Sequence, residues 1–490
     1  MPTATLPSTP AEAALATLWH AAGLPPDALA MASLPGQGAV LPSSFDVATL
    51  AQASVGAAAL AAAWLWQCRS GQVQRVSVDR AHAALEFTGD FALDGQVPPL
   101  WDKLSGLYAC GSSVGQPGWV RIHANFAHHR DAALRVLGLP EGGATERAAV
   151  TAALAHWTAT GFEQAVADAG GVVAAARSLA EWDAHPQARA LASQPLVAIT
   201  RIAADAGGDA APRPWPTSAA DRPLAGLRVL DLTRILAGPV AGRCLAAHGA
   251  DVLLVNGPHL PNIAAIADTS RGKRSALLDL RTDADRARLH GLADSADVFL
   301  QGYRPGTLAA RSFGADELAH RHPGIVVATL SAYGETGPWA GRRGFDSLVQ
   351  TCTGLNLAEA AAAGSTTPRA LPMQALDYAA GHLLAFGIQA ALWRQRTLGG
   401  SWQVRVTLAG VGAWLRSLGQ DAAGLGATAP ERTPWMAETD CGFATDAASP
   451  GRSRLRAIRH AAQLSATPVR LDRPSMPPGS HPPAWDDNAR

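Results

Sequence analysis

The sequence predicts an α/β protein: a Rossmann-like parallel-sheet domain plus a smaller α/β domain. Two observations carry this. From residue 224 onward, short apolar stretches (LRVLDL, DVLLV, SALLDL, DVFLQ, GIVVATLS) alternate with helical ones at the spacing of crossover connections, as in a doubly wound parallel sheet. The chain also has 490 residues and 48% hydrophobic composition, ample for a packed core, and its length suggests two to four domains.

Taken in order, residues 1–40 are Ala/Pro-rich, with one helix expected over Ala11–Ala22. Residues 41–88 read as a long Ala-rich helix followed by a strand, QRVSVD. The most apolar stretch, ASVGAAALAAAWLW (53–66), is short and Ala-rich for a bilayer span, so a buried helix is expected. Residues 100–200 read as mixed α/β, with a strand at WVRIH and helices around 129–137 and 145–155. The segment 205–223, DAGGDAAPRPWPTSAADRP, has the composition of a linker. The expected organisation is therefore a small-domain-like half over 1–204, a linker over 205–223, a Rossmann-like domain over 224–420 and a Pro-rich surface tail over 421–490.

Lys+Arg and Asp+Glu both number 40, so no net charge points to nucleic acid or an acidic membrane, and neither is expected as a partner. Five scattered cysteines form no CxxC, which argues against a disulfide framework or a thiolate zinc site. HANFAHH (123–129) has three histidines at a spacing that fits no metal site, and is expected to be a polar surface strand; no metal is expected. The first residues lack a basic region before an apolar run, so the expected compartment is the cytoplasm.

Two stretches echo each other. FDVATLAQASVGAAALAAAWLWQCRSGQVQRVSVDRAHAAL (45–85) resembles LDYAAGHLLAFGIQAALWRQRTLGGSWQVRVTLAGVGAWL (376–415): a long small-residue helix, a basic Gly turn, then a strand. Ungapped alignment puts Leu50 where Asp377 stands, so one active and one structural copy are expected. Taken alone, Asp377 is either a helix cap or a chemical group. The loop TRILAGP (233–239) ends a strand and opens a helix, where backbone N–H groups suit a phosphate, but the absence of GxGxxG leaves a dinucleotide cofactor unsupported.

In order along the second half, LAGLRVLDLTRILAGPVAGRCLAAHGADVLLV, RGKRSALLDL, ADVFLQGYRPG, LSAYGETGPWAGRRGFDSLVQTCTG and ALDYAAGHLLAFGIQAALWRQRTLGG resemble the class III CoA-transferase family. GWVRIH and RSLAEWDAHPQARA resemble that family's smaller domain, here placed before the nucleotide-binding half. This order departs from the family's, which alters the expectation of an interlocked homodimer. The resemblance implies that Asp377 is the catalytic carboxylate, and that CoA lies across Arg234, Ile235, Leu236 and Ala237, the cluster Arg271, Lys273 and Arg274, and Tyr303 with Arg304. Two positions depart from the family pattern: Asn256 replaces a Glu, and Gly302 an Asn.

The implied activity is transfer of CoA from an acyl-CoA to a carboxylic acid through an aspartyl intermediate, with CoA as substrate and no tightly bound cofactor. A helix N-terminus is expected to keep Asp377 ionised. One alternative is a 2-methylacyl-CoA racemase. In that branch a His precedes the Asp of the GFD segment, whereas Phe345 stands here and carries no transferable proton. The other alternative is a CoA-binding homologue without catalysis.

Overall fold

The computed structural model describes residues 9–203, 209–216, 221–443 and 453–486. Its centre is a seven-stranded sheet made of β1 (Val197–Arg201), β2 (Arg228–Leu232), β3 (Asp251–Asn256), β4 (Arg274–Leu277), β5 (Val298–Gln301), β6 (Val326–Ser331) and β7 (Trp402–Thr407). The spatial order is β4-β3-β2-β5-β6-β7-β1. Strands β2 to β7 run parallel, and β1 joins antiparallel at the edge. The buried, Leu/Val-rich β2 and β3 explain why the sequence reads as continuous apolar runs rather than as alternation. Chain direction across the sheet reverses between β2 and β5. The crevice beyond the carboxyl ends of such a pair is where doubly wound sheets bind ligands.

The two repeated helices are Val47–Ser70 and Ala375–Leu398, each of 24 residues. They lie against one another, and the Gln389 amide reaches across to Ala58 O at 3.0 Å. Each stops at a glycine with positive φ, Gly71 or Gly399, and is followed by a strand and a helix. Val47–Ser70 is long and apolar enough to cross a membrane by length and composition, but it is buried inside the protein, as the sequence led us to expect. Counted from the N-caps Asp46 and Gln374, the residue standing where Asp377 stands is Thr49, one position before the Leu50 of the sequence alignment.

The smaller domain is narrower than residues 1–204. Its three antiparallel strands, Gly106–Cys110, Gly118–Ile122 and Val173–Ala175, close with three helices over a separate core of Leu104, Tyr108, Val120, Ile122, Phe162 and Val166. Residues before Phe91 instead join the core of the large domain, because the helix Val47–Ser70 is apolar all round and needs cover on every side.

Two further expectations are corrected. Within the supposed linker, the described residues are packed down. Ala210 O accepts from Gly400 N at 2.6 Å, Arg213 donates to Ala296 O and Pro323 O, and Trp215 lies under the guanidinium groups of Arg69 and Arg396. Residues 204–208 and 217–220 fall outside the described residues. The C-terminal segment is not merely a surface tail: Met436–Cys441 and Ser453–Ile458 form a sheet with Phe91–Leu93, and Ala462–Leu464 pairs with Val76–Val78. Burial alternates along SRLRAI, a half-buried strand pattern masked in sequence by its arginines.

Candidate active site

A cavity of about 390 Å³ opens at the β2–β5 switch point. The sheet side supplies Leu232, Arg234, Ile235, Asn256, Tyr303 and Arg304. The loop before helix Asp346–Cys352 supplies Arg342, Arg343 and Phe345, and the smaller domain supplies Phe126, His128 and His129. Buried Gln187, from the HPQ segment, fixes this loop: its amide donates to Tyr333 O at 2.7 Å and Thr336 O at 2.8 Å and accepts from Trp339 N at 2.7 Å.

The cavity is electropositive. Among the described residues, neither Arg304 nor Arg343 has a carboxylate partner, and Arg343 is lowered from its usual range by burial first and by the Arg304 charge second. The same guanidinium group of Arg343, with Arg234, adds to burial in lowering His128. Like charges gathered without counter-charge in a concave site suit an anionic ligand. Ile235 has φ +76°, a costly conformation for a β-branched residue, and this strain sits in the loop between β2 and helix Ala237–Ala247.

Asp377 stands three residues beyond the N-cap Gln374, so it is not the cap. Its carboxylate makes no hydrogen bond or ion pair among the described residues, while its backbone N–H donates to Asp346 Oδ2 at 2.9 Å. Asp377 keeps partial exposure, whereas Asp346 is fully buried. One turn on, a Cβ on Gly381 would lie 2.6 Å from Ala237 O and 2.7 Å from Val240 Cγ1, so this helix packs directly on the start of helix Ala237–Ala247. Asp377 is not among the residues that line the cavity; its N–H bond ties it to Asp346, the residue that follows the cavity-lining Phe345.

The helix N-terminus is not the largest influence on Asp377. Burial first and the Asp346 charge second hold its carboxyl well above the usual carboxylate range. Burial also raises Asp346, to about 6, against the hydrogen bonds from Asp377 N–H and Gln350 that pull it down. Desolvation outweighs the helix-terminal field here.

The predicted CoA residues separate into two groups. Arg234, Ile235, Tyr303 and Arg304 line the cavity, and Leu236 and Ala237 follow directly as helix N-cap and first helical residue. Arg271, Lys273 and Arg274 do not reach the cavity. Arg271 is buried against Asp268 and Ile458 O, Lys273 against Asp231 at 2.8 Å and Pro239 O, and Arg274 against Asp251 at 2.7 Å. The cluster sits at the start of a buried strand, where cations are kept only by carboxylate partners. Gly302 leaves room: a Cβ there would meet only Thr233, at 3.8 Å. Asn256 is buried at the cavity, and among the described residues both its amide atoms are unpartnered.

HANFAHH is not a surface strand. His123 stacks on Phe345 with ring centroids 4.0 Å apart, and His129 is buried. Burial lowers His123 to about 4, and burial with its neighbouring histidines lowers His129 to about 3. The sequence reading noticed His128 and His129 within HANFAHH but not as site residues, and it did not single out Arg342, Arg343 or Gln187. The histidine run was the available signal, but only the folded small domain turns it toward the sheet.

Residues 224–441 match the family model described as CoA-transferase family III. Among curated proteins, 216 residues are 36% identical to the probable fatty acyl-CoA transferase Rv3272 of Mycobacterium tuberculosis, covering 41% of this chain and 54% of that protein. Another 34% identity, over 151 residues, is to succinate–glutarate CoA-transferase of Agrobacterium fabrum, covering 27% of this chain and 38% of that protein. The orthorhombic crystal structure of Rv3272 aligns at 35% identity and a TM-score of 0.37, covering 40% of this chain and 58% of that one. The chain spans about half the length, or less, of these curated relatives.

Proposed function

We propose that the protein is a CoA-transferase that moves CoA between an acyl-CoA thioester and a carboxylic acid, with Asp377 as nucleophile. The observation that carries this reading is the carboxylate of Asp377, unpartnered among the described residues and joined through Asp346 to the wall of a cavity in which Arg304 and Arg343 lack counter-charges. In the proposed reaction the carboxylate attacks the thioester carbonyl and expels CoA thiolate, leaving a mixed anhydride. The thiolate then attacks the aspartyl carbonyl, releasing the donor acid and leaving an aspartyl-CoA thioester. The acceptor acid takes the same path in reverse. Arg304 and Arg343 would hold the CoA phosphates, with Arg234 and the N–H groups that open helix Ala237–Ala247 beside them. The smaller domain covers one side and limits water, which would hydrolyse an anhydride.

The related enzymes named above support the CoA and carboxylic-acid chemistry; donor and acceptor are left to experiment. Racemisation is disfavoured because Phe345 offers no proton and is covered face-on by His123. The test is intact-protein mass spectrometry after incubation with a panel of acyl-CoA thioesters, with a hydroxylamine quench, comparing wild type with Asp377→Asn. An adduct or hydroxamate at residue 377 that is absent in the variant supports the reading. If CoA binds but no thioester gives an adduct, the non-catalytic alternative takes its place.

A further inference from the structure

A cluster of potential ligands lies apart from the residues of the cavity, between helix Ala237–Ala247 and the C-terminal segment. Cys244 and His248 are four residues apart, hence on one face at the end of that helix, and His460 follows the strand Ser453–Ile458. One ligand atom from each lies within 4.8 Å of the other two. Cys244 and His248 are each 1% exposed, and the His460 side chain is 6% exposed. Among the described residues, both ring nitrogens of His248 and Nε2 of His460 lack a hydrogen-bond partner. Buried polar atoms are nearly always paired, so orphaned nitrogens on both histidines of a cluster that includes a thiol call for an explanation. We propose that Cys244, His248 and His460 form a binding site for a zinc-class divalent cation, which ties the C-terminal segment to the large domain.

The donor set suits such an ion. One thiolate and two imidazoles fill three positions of a tetrahedron and leave the fourth for water. Bonds of about 2.0–2.3 Å require the three ligand atoms to draw together by roughly an ångström. Burial lowers both histidines to about 3, so each is a neutral ligand at ordinary pH. The thiol is raised by burial, so capture of the ion expels its proton to solvent. His460 Nδ1 now accepts from Ala462 N at 3.1 Å. Coordination at Nε2 moves the ring proton to Nδ1, which faces Glu86 Oε2 at 3.9 Å, an oxygen that already accepts from Ala461 N at 2.7 Å. A carboxylate behind a ligating imidazole is the usual outer partner in zinc sites. Glu86 and Asp268, balanced by Arg243 and Arg271, are the nearby charges; His82, His382 and Arg222 also face the cluster. Chain spacing concealed the site, because two ligands come from one helix and the third from far along the chain.

The experiment uses the full, untagged chain, stripped with chelator and then given Zn²⁺ or Co²⁺ alone. The expected result is one metal per chain after dialysis, with a thiolate-to-cobalt charge-transfer band and the strong visible bands of a tetrahedral site. Both signals disappear in Cys244→Ser and in His460→Gln, and persist in Cys68→Ser, which removes the exposed thiol. If a variant fails to fold, the wild-type cobalt spectrum decides. Absence of the thiolate band, or metal content unchanged in folded Cys244→Ser or His460→Gln, overturns the proposal. No readout depends on catalysis, so the result stands apart from the fate of Asp377.

Discussion

Replacing Lys273 with Met separates the two roles the RGKR cluster can have. The Lys273 ammonium and Asp231 carboxylate are both fully buried and 2.8 Å apart, and Asp231 also accepts from Thr233 N at 3.0 Å. Removing only the cation leaves a buried carboxylate with hydrogen bonds but no counter-charge, which costs about 3–5 kcal/mol. That is roughly two to three and a half orders of magnitude in the folding equilibrium. Asp231→Asn alone leaves an unmatched ammonium and is expected to cost a similar amount. The double variant removes both charges and should recover most of the loss, since apolar or neutral replacement of a whole buried pair is often close to neutral. Urea denaturation of the four proteins, followed by fluorescence and circular dichroism, gives the coupling energy directly. CoA affinity is measured on each folded protein. If Lys273→Met folds within about 1 kcal/mol of wild type yet loses CoA affinity, burial has been misjudged and the phosphate-binding role returns.

Three other outcomes follow from the site. Asp346→Asn removes the like charge beside Asp377 while retaining an oxygen to accept its N–H, so the acid limb of a pH–acylation profile should move to lower pH. Both carboxyls are raised above their unfolded values, so their stabilising contribution is present below about pH 4 and lost as pH rises through about 6 and beyond. In Asp346→Asn the slope of stability against pH over that window should flatten, as read by urea midpoints. Gly381→Ala pushes a methyl into Ala237 O and should cost about 1–3 kcal/mol and weaken CoA binding by displacing the 233–239 loop. Gly412→Ala, where the added Cβ meets nothing closer than 3.7 Å, is the control and should be neutral or slightly stabilising. Arg304→Ala should raise the CoA dissociation constant about tenfold or more, the scale of a lost charged hydrogen bond, with stability unchanged within about 0.5 kcal/mol, by calorimetry and denaturation.

The parallel sheet was legible because its strands are continuous apolar runs with short helical crossovers, a pattern set by local sequence. The long helices were legible for the same reason, through their length and small residues. What failed was whatever depended on the partner of a charge. RGKR reads identically whether its cations face phosphate or Asp231, Asp251 and Asp268, and those acids lie in other stretches of the chain. The smaller domain's extent was misread because Val47–Ser70 carries no mark of which body it joins; its all-round apolarity requires burial but does not name the neighbour. The tail was misread because alternating arginines on its outer face dominate the composition. The histidines at 123–129 were noticed but misassigned, since their role depends on Phe345, over two hundred residues away.

The repeat sharpens the assignment of Asp377, because the two helix starts spend their acids differently. In the first copy, Asp46 caps its helix: Oδ1 accepts from Thr49 N at 2.9 Å and from Arg80 Nη2 at 2.6 Å, and Oδ2 accepts from Thr49 Oγ1 at 2.7 Å. Both oxygens are engaged, and an acid held this way is a cap and an ion pair rather than a free nucleophile. In the second copy the cap position is Gln374, with no side-chain cap bond, and the acid comes three residues later, where the first copy has Thr49. Its oxygens have no partner among the described residues, and burial first and a neighbouring carboxylate second raise its proton affinity, with no guanidinium lowering it. Helix stability gains nothing from that placement: the N3 side chain leaves the cap unmade, and burial beside Asp346 disfavours the charge. A residue that serves its helix so poorly is better accounted for by a ligand. That the partner of a raised, unbonded carboxylate is an electrophilic thioester carbonyl is what the adduct experiment on Asp377→Asn decides.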